Sequence, residues 1–309
     1  MELTLGPVLF EWKREELVKF YEEVAGMDID RVYLGEVVCT RKLALNFDDI
    51  ERIAGSLIDS GKKVVLSSLA VISNEEELEF TRRLAGFPYA IEANDMSVLN
   101  IADPSKREVL AGPHITAYNA PSIEFLKETG VRHVTFPVEL PRGSVLYNIR
   151  ETGIEAEVFV HGKVPLAFSW RCYTSRAFGL GKTECRHHCA KYPDGMEIKT
   201  MDGEPVFTVN GTTLLSASTY TLIESVEDLR DIGVKALRIS PQYRETGKIV
   251  ELFRRRMRGE TTAEAGLEEL KGSTGGSFCN GWYMGGAGKD YIAKARSSSG
   301  AQEKGGIYG

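Results

Sequence analysis

The sequence predicts an α/β protein with a (β/α)8 TIM-barrel-like fold and a cysteine-bearing insertion after strand 7. Two observations support this prediction. Short apolar runs alternate with amphipathic segments from the first residues to about residue 258, and eight of these runs have the length of strands. The alternation is broken once, after the seventh run, by a long polar segment that carries three of the five cysteines.

The apolar runs follow one another as a barrel requires. They lie at residues 3–10, 32–38, 64–72, 89–93, 109–112, 133–140, 157–162 and 236–241. Helical patterns, several of which end in glycine, lie between them and after the last run. A strict β/α alternation produces a parallel sheet covered by helices, and eight units match a barrel in count and length. A doubly wound open sheet is the alternative, but no G-x-G-x-x-G follows the first run, so a dinucleotide-binding domain has no support.

The pattern divides the chain into three parts. Residues 1–258 form the barrel, and residues 162–222 form an insertion within it that we expect to cover the barrel mouth. Part of that insertion, EPVFTVNGTTLLSA (204–217), is typical of a hairpin. Residues 259–309 form a Gly/Ser-rich C-terminal extension. Three aromatic residues of the extension are candidates for docking onto the barrel: Phe278, Trp282 and Tyr283.

Four of the five cysteines are the candidate ligands of a metal site. Cys39 stands alone after the second apolar run, and Cys172, Cys185 and Cys189 follow the seventh with the spacing C-x12-C-x3-C. The last three lie among Arg, His, Lys and Glu side chains rather than in an apolar strand, a setting that favours the thiolate. Four soft ligands suit a tetrahedral zinc ion or an iron–sulfur cluster.

The spacing favours the cluster over zinc, because only Cys185 and Cys189 form a close pair of the kind that zinc sites use twice. Neighbouring His187 and His188 are alternative ligands, although a solvated loop position explains them better. Cys39 and the insertion both follow strand ends, so a barrel would bring them to the same mouth.

Composition excludes several classes of function. The net charge of −6 and the pI near 5.6 argue against broad nucleic-acid binding. The first residues lack the basic start of a signal peptide, and no apolar run reaches the ~20 residues of a transmembrane segment. We therefore expect a cytoplasmic protein, in which clustered cysteines bind metal rather than form disulfides.

Motifs for other chemistries fail. The residues GKT at 181–183 resemble the end of a P-loop, but Arg176 stands where its first glycine is required. No H-E-x-x-H or G-x-S-x-G is present, so neither a metalloprotease nor a serine hydrolase is supported. Glu157 and His161 lie at the end of a strand, where a general acid or base could stand, with ordinary packing as the alternative.

The segment EVFVHGKVPLAFSWRCYTSRAFGLGKTECRHHCAKYPDG (157–195), together with the later CNGWY, resembles the signature region of the U32 peptidase-like family and, within it, the UbiV subgroup. The resemblance implies a [4Fe–4S] cluster held by Cys39, Cys172, Cys185 and Cys189, with Cys279 outside the ligand set.

The same resemblance implies a function. Members of the subgroup are cluster-bearing subunits of an oxygen-independent hydroxylase of ubiquinone biosynthesis. They act as a heterodimer with a UbiU-like U32 protein, and a sterol-carrier-like lipid-binding accessory protein takes part. Other U32 relatives are tRNA and rRNA hydroxylation factors, so RNA hydroxylation is the alternative function. Proteolysis is a further alternative, for which the chain has no hydrolytic constellation.

Overall fold

Eight parallel strands close into a barrel in the computed structural model, which describes residues 1–42, 44–181, 184–274 and 276–293. The barrel strands are β1 (Glu2–Leu5), β2 (Arg31–Gly35), β3 (Lys63–Ser67), β4 (Ala90–Ala93), β5 (Val109–Ala111), β6 (His133–Thr135), β7 (Glu155–Phe168) and β11 (Ala236–Ile239). They pair in the order β11-β1-β2-β3-β4-β5-β6-β7, and β11 also pairs with β7, which closes the ring. The predicted (β/α)8 fold is confirmed, and the open-sheet alternative is wrong.

The predicted helical segments are helices in the structure. The ten helices are α1 (Arg14–Ala25), α2 (Phe47–Asp59), α3 (Glu75–Leu84), α4 (Ser97–Ile101), α5 (Ala120–Glu128), α6 (Arg142–Thr152), α7 (Tyr173–Ala177), α8 (Val226–Asp231), α9 (Thr246–Arg258) and α10 (Ala263–Thr274), counted within the described part of the chain. Helix α2 illustrates why they form: its buried residues recur at helical spacing, and the Asn46 side chain accepts a hydrogen bond from the Asp49 amide at 2.8 Å.

The sheet continues beyond the barrel as an antiparallel extension that begins at β7. This strand continues to Phe168, beyond the predicted end at residue 162, and its second half pairs with β10 (Thr213–Thr221). Strand β10 pairs in turn with β9 (Pro205–Asn210), and β9 with β8 (Met196–Lys199). The hairpin predicted at 204–217 is therefore confirmed, with Gly211 in the left-handed region (φ 65°) at its turn.

The protein has two buried regions, one between the strands and the helices and one inside the ring of strands. Apolar side chains pack between the strands and the surrounding helices in one large buried cluster. Inside the ring, Tyr33, Val65 and Leu110 form a smaller apolar cluster, and charged side chains such as Glu157 and Arg238 are buried beside it. Burying charge is costly unless it is paired, so these groups must bond to one another.

The C-terminal part contains more structure than a Gly/Ser-rich extension suggests. Helix α10 packs with Leu270 buried, and β12 (Phe278–Cys279) pairs with β10. Tyr283 docks as expected: it is buried, and its hydroxyl donates to Asp228 Oδ2 at 2.8 Å. The end of the predicted extension, residues 294–309, lies outside the described residues. Across the part of the chain that is described, no helix is long and apolar enough to cross a membrane.

Candidate functional site

The barrel mouth contains a cavity of about 320 Å³ at the carboxyl ends of the strands. Its lining comes from the residues that end or follow six barrel strands, β1, β3, β4, β5, β6 and β11, and from β7, whose extension Pro165 to Phe168 forms one wall. Pockets of this size at this end of a (β/α)8 barrel are where such folds bind small molecules. The cavity is therefore the first candidate site.

A smaller pocket lies beside the cavity and contains Cys39. Val71 and Phe168 line both spaces, so these two side chains form the wall between them. The Phe168 ring is held on the cavity side by His114, whose ring meets it edge-on with the centroids 4.6 Å apart. Cys39 is thus separated from the main cavity by a single layer of side chains.

The turn at residues 210–212, between β9 and β10, contacts the segments that carry three of the four predicted ligands. Near Cys39, the Thr212 hydroxyl donates to the Val38 carbonyl at 3.2 Å. Asn210 Nδ2 lies 3.4 Å from the carbonyl oxygen of Cys189, which is buried. Segments far apart in the sequence are therefore brought to one place by the 210–212 turn.

The same turn holds the segment of Cys172. The Tyr173 amide donates to the Gly211 carbonyl at 2.9 Å, and the Gly211 amide donates to Thr174 Oγ1 at 3.0 Å. Cys172 caps α7, since its sulfur accepts a hydrogen bond from the Ser175 amide at 3.3 Å.

The position of Cys185 is less closely defined by contacts with the 210–212 turn than the positions of the other three predicted ligands. Cys185, half-buried, lies four residues before Cys189 in the same segment. Among the described residues, no group of three or more His, Cys, Asp or Glu side chains is placed so that it could hold a metal ion. Convergence of the four sulfurs on one centre therefore stays a prediction.

Cys279 lies apart from the 210–212 turn. It is on β12 and pairs with Tyr220, at the opposite end of β10 from that turn. Burial raises the pKa of its thiol to about 11, with the charge of Lys163 acting in the opposite direction. A buried, protonated thiol packs like a small apolar side chain, whereas a metal ligand must be a thiolate.

A buried ion network lies beneath the cavity, centred on Glu157. Glu157 accepts hydrogen bonds from side chains of five residues around the barrel: Thr4, Tyr33, His133, Thr135 and Arg238. Arg238 also contacts Glu92, with Nη1 and Oε1 2.7 Å apart, and its guanidinium lies 3.8 Å over the Tyr33 ring. The network joins charged groups from three strands and leaves Glu157 with no exposed surface.

The network keeps Glu157 ionised. Burial alone would raise the pKa of this carboxyl, but the charge of Arg238 and hydrogen bonds from His133 and Arg238 outweigh burial and hold the pKa well below its ordinary value. His133 Nε2 lies 2.8 Å from Glu157, and Arg31, which can only donate, lies 3.4 Å from His133 Nδ1. In this arrangement His133 Nδ1 accepts from Arg31 and Nε2 donates to Glu157, so the imidazole links the two charged side chains.

Glu157 and His161 do not form an acid–base pair. The Glu157 carboxylate is fully bonded inside the ring, whereas the His161 ring packs against Phe253 of α9, with centroids 5.9 Å apart. Burial lowers the pKa of His161 to about 3. Both residues therefore have structural roles, as the alternative interpretation of the sequence predicted, and neither is placed to transfer a proton.

The sequence analysis missed Arg238, Glu92 and Asn94, which form the polar floor of the cavity. A signal was present: Arg238 and Glu92 are charged residues inside the apolar strands ALRI and AIEA. Charge in a strand that is covered on both faces indicates a buried pair or a functional site.

Comparisons with known proteins place the chain among relatives. The family model described as peptidase family U32 matches residues 16–292. The 23S rRNA 5-hydroxycytidine C2501 synthase of Escherichia coli (strain K12) is 24% identical over 190 residues, which is 60% of this chain and 28% of that protein. The chain thus spans under a third of the length of this relative.

The chain is also similar to solved structures, with lower sequence identity. The structure of the U32 peptidase Mk0906 has a TM-score of 0.44 and 10% identity, and the match covers 78% of this chain and 93% of that one. A truncated 3-deoxy-D-arabino-heptulosonate 7-phosphate synthase from Thermotoga maritima has a TM-score of 0.45 and 13% identity, with 90% and 89% covered.

Proposed function

This chain belongs to peptidase family U32, and we propose that it is a [4Fe–4S] cluster-bearing subunit of an oxygen-independent hydroxylase of ubiquinone biosynthesis. The observation that carries the proposal is the 210–212 turn, which contacts the segments of Cys39, Cys172 and Cys189 beside the mouth cavity. This arrangement would place a redox group next to a small-molecule site.

The donor set fits such a cluster in type and number. Four cysteine thiolates are the usual ligands of a [4Fe–4S] cluster, and Cys39, Cys172, Cys185 and Cys189 would supply them. When bound, the cluster supplies one-electron transfer. The chain's own contribution is to separate the two spaces, because Val71 and Phe168 line both the Cys39 pocket and the cavity.

We propose that the partner is a UbiU-like U32 protein in a heterodimer. Converting a C–H bond to C–OH removes two electrons from the carbon and requires an oxygen donor other than dioxygen. A [4Fe–4S] cluster accepts one electron at a time, so a second cluster in the partner would accept the other. Exposed apolar side chains on the 162–222 segment support association with another protein. They are Trp170, Phe178, Ile198, Met201 and Val206.

The cofactor is tested by purification without oxygen. We expect about four irons per chain and the broad visible absorption of an iron–sulfur protein, both in the isolated chain and with its partner. Stoichiometric zinc in place of iron would contradict the proposal, because zinc carries no redox chemistry.

The biological role is tested by gene deletion. We expect the deletion to lower quinone ring hydroxylation during anaerobic growth and to leave aerobic quinone levels unchanged. The Cys39→Ala and Cys185→Ala variants should reproduce the deletion. A quinone pool that is unchanged without oxygen would overturn the proposed role.

RNA hydroxylation is the second candidate, favoured by one observation. The relative from Escherichia coli makes 5-hydroxycytidine in 23S rRNA, and its 24% identity extends over 190 residues of this chain. The net charge of −6 counts against an RNA substrate bound by this chain alone. Loss of a hydroxylated nucleotide in the deletion strain, with normal quinones, would establish this alternative.

A further inference from the structure

We propose that Glu11 and Glu36, in the loops that follow β1 and β2, are positioning residues of the cysteine site. Each carboxylate holds one cysteine-bearing segment at the barrel mouth, and its negative charge makes a metal centre bound there harder to reduce. This inference deepens the proposed function and rests on it for the identity of the metal centre. The positioning itself depends only on contacts between residues of the chain.

Glu36 folds the loop that carries Cys39. Its Oε1 atom accepts hydrogen bonds from the Val38 amide at 2.7 Å and from the Cys39 amide at 3.1 Å. Residues 36–39 belong to no helix or strand, so these bonds determine the direction in which the chain leaves β2. Hydrogen bonds to a charged acceptor are roughly twice as strong as neutral ones, which suits the carboxylate to holding a short loop.

Glu11 holds the segment that contains Cys185 and Cys189. Its Oε1 atom lies 3.2 Å from Nδ1 of His187, which stands midway between those two cysteines. The Glu11 side chain is 7% exposed and the His187 side chain 54% exposed, so a buried carboxylate anchors a surface histidine. The backbone of His187 is in the left-handed region (φ 50°), which is unfavourable for a residue with a side chain, and the contact with Glu11 helps to maintain it.

Further bonds connect the loop after β1 to the same cysteine segment. The Glu11 amide donates to Asn210 Oδ1 at 3.0 Å, and Asn210 Nδ2 lies 3.4 Å from the carbonyl oxygen of Cys189. The Trp12 indole donates to the Pro193 carbonyl at 2.9 Å. The loop therefore contacts the cysteine segment along its length, and the Glu11 carboxylate is its charged contact.

The two carboxylates also act on the site through their charge. Net charge is one of the factors that set the reduction potential of an iron–sulfur cluster, and a nearby carboxylate favours the oxidised state. Exposed Arg171 and Arg186, beside the predicted ligands, act in the opposite direction. Replacing a glutamate by glutamine removes its charge and keeps an oxygen that can accept the same bonds. This substitution therefore separates the effect of charge from the effect of position.

Anaerobic purification of the full chain and its variants tests both effects. Glu36→Leu and Glu11→Leu remove the acceptor, so we expect each to lose most of the iron that the unaltered chain binds. Glu36→Gln and Glu11→Gln should keep their iron, and a redox titration should give each a more positive reduction potential. The control is Glu77→Leu, which should not change the iron content. Glu77 also lines the Cys39 pocket, but its carboxylate accepts from the Ser73 amide of its own loop at 2.9 Å.

Alkylation of the full chain without bound metal gives a second measurement. Glu36→Leu should speed the reaction of Cys39 with iodoacetamide about 3–10-fold, the effect of losing one net hydrogen bond, and leave Cys189 unchanged. Glu11→Leu should have the opposite pattern. Peptide mass spectrometry measures each cysteine separately, and circular dichroism shows whether each variant is folded. The reduction potentials of the glutamine variants keep the test decisive if a leucine variant does not fold.

The outcomes separate this inference from the proposed function. Three results would each overturn the inference: unchanged iron content and alkylation in both leucine variants, an equal loss of iron in Glu77→Leu, or unshifted reduction potentials in the glutamine variants. Stoichiometric zinc in the unaltered chain would instead overturn the proposed function. The alkylation pattern would in that case still establish which segment each carboxylate holds.

Discussion

The Thr212 hydroxyl donates to the Val38 carbonyl at 3.2 Å, joining two residues that are 174 positions apart in the sequence. Val38 directly precedes Cys39, and Thr212 belongs to the turn that also bonds to the carbonyl of Cys189 through Asn210. Distant cysteine segments thus depend on one turn for their relative position. Metal binding should respond to a change in the turn that removes no cysteine.

Replacing Thr212 with valine tests this dependence. Thr212→Val keeps the shape of the side chain and removes the donor, so the Cys39 segment loses its bond to the turn. We expect less iron per chain after anaerobic purification and faster loss of iron in air. Thr212→Ser keeps the hydroxyl and should retain iron like the unaltered protein. Full iron content in Thr212→Val would show that the hydrogen bond does not position the site.

The predicted ligand set is tested one cysteine at a time. Replacing Cys39, Cys172, Cys185 or Cys189 by alanine should abolish or strongly deplete bound iron, because each would supply one thiolate. Cys279→Ala, at the other end of β10, should retain iron. Iron analysis of the five variants decides the matter: retention in Cys39→Ala together with loss in Cys279→Ala would refute the set.

The barrel could be predicted from the sequence because its signals are local. Each strand and most helices produce a run of apolar residues of the right length and period. The extension of β7 to Phe168 was missed, since KVPLAF (163–168) becomes a strand only through β10, whose pairing residues lie about 50 positions later. Helix α10 was hidden by the Gly-rich composition that follows it, although AEAGLEELKGST has a helical pattern.

The candidate site could be predicted only in part. Placing Cys39 and the insertion at one mouth needed nothing beyond the rule that parallel strands end together. The Glu157–Arg238 pair could not be foreseen, because its partners are 81 positions apart and meet only when β11 closes the ring against β7.

Glu157→Gln should destabilise the protein strongly. The variant leaves the buried guanidinium of Arg238 with one carboxylate fewer, and breaking a buried ion pair in this way costs about 3–5 kcal/mol. The free energy of unfolding, measured in urea, provides the test. The control is Glu155, which lies on the same strand with its side chain 61% exposed. Glu155→Gln should change the free energy of unfolding by no more than about 0.5 kcal/mol. Equal effects of the two variants would contradict the role assigned to the network.

His161 should make the fold sensitive to acid. Its ring is fully buried, neither nitrogen has a partner among the described residues, and burial lowers its pKa from 6.5 to about 3. The unfolded chain therefore takes up a proton that the folded chain refuses as the pH falls from 6.5 towards 3. Stability should decline over that window by roughly 1.4 kcal/mol per pH unit through this group.

The His161→Leu variant isolates that contribution. Leucine fills a similar space against Phe253 and cannot take up a proton, so the variant should be at least as stable as the unaltered protein at pH 7, where both forms of residue 161 are neutral. Between pH 6.5 and pH 4.5 its advantage should grow by roughly 2.3 kcal/mol, because only the histidine stabilises the unfolded state by protonation. Urea unfolding at pH 7, 6, 5 and 4.5 measures the difference. Parallel pH profiles for the two proteins would mean that His161 finds a proton acceptor in the folded state, and its burial would then carry no acid sensitivity.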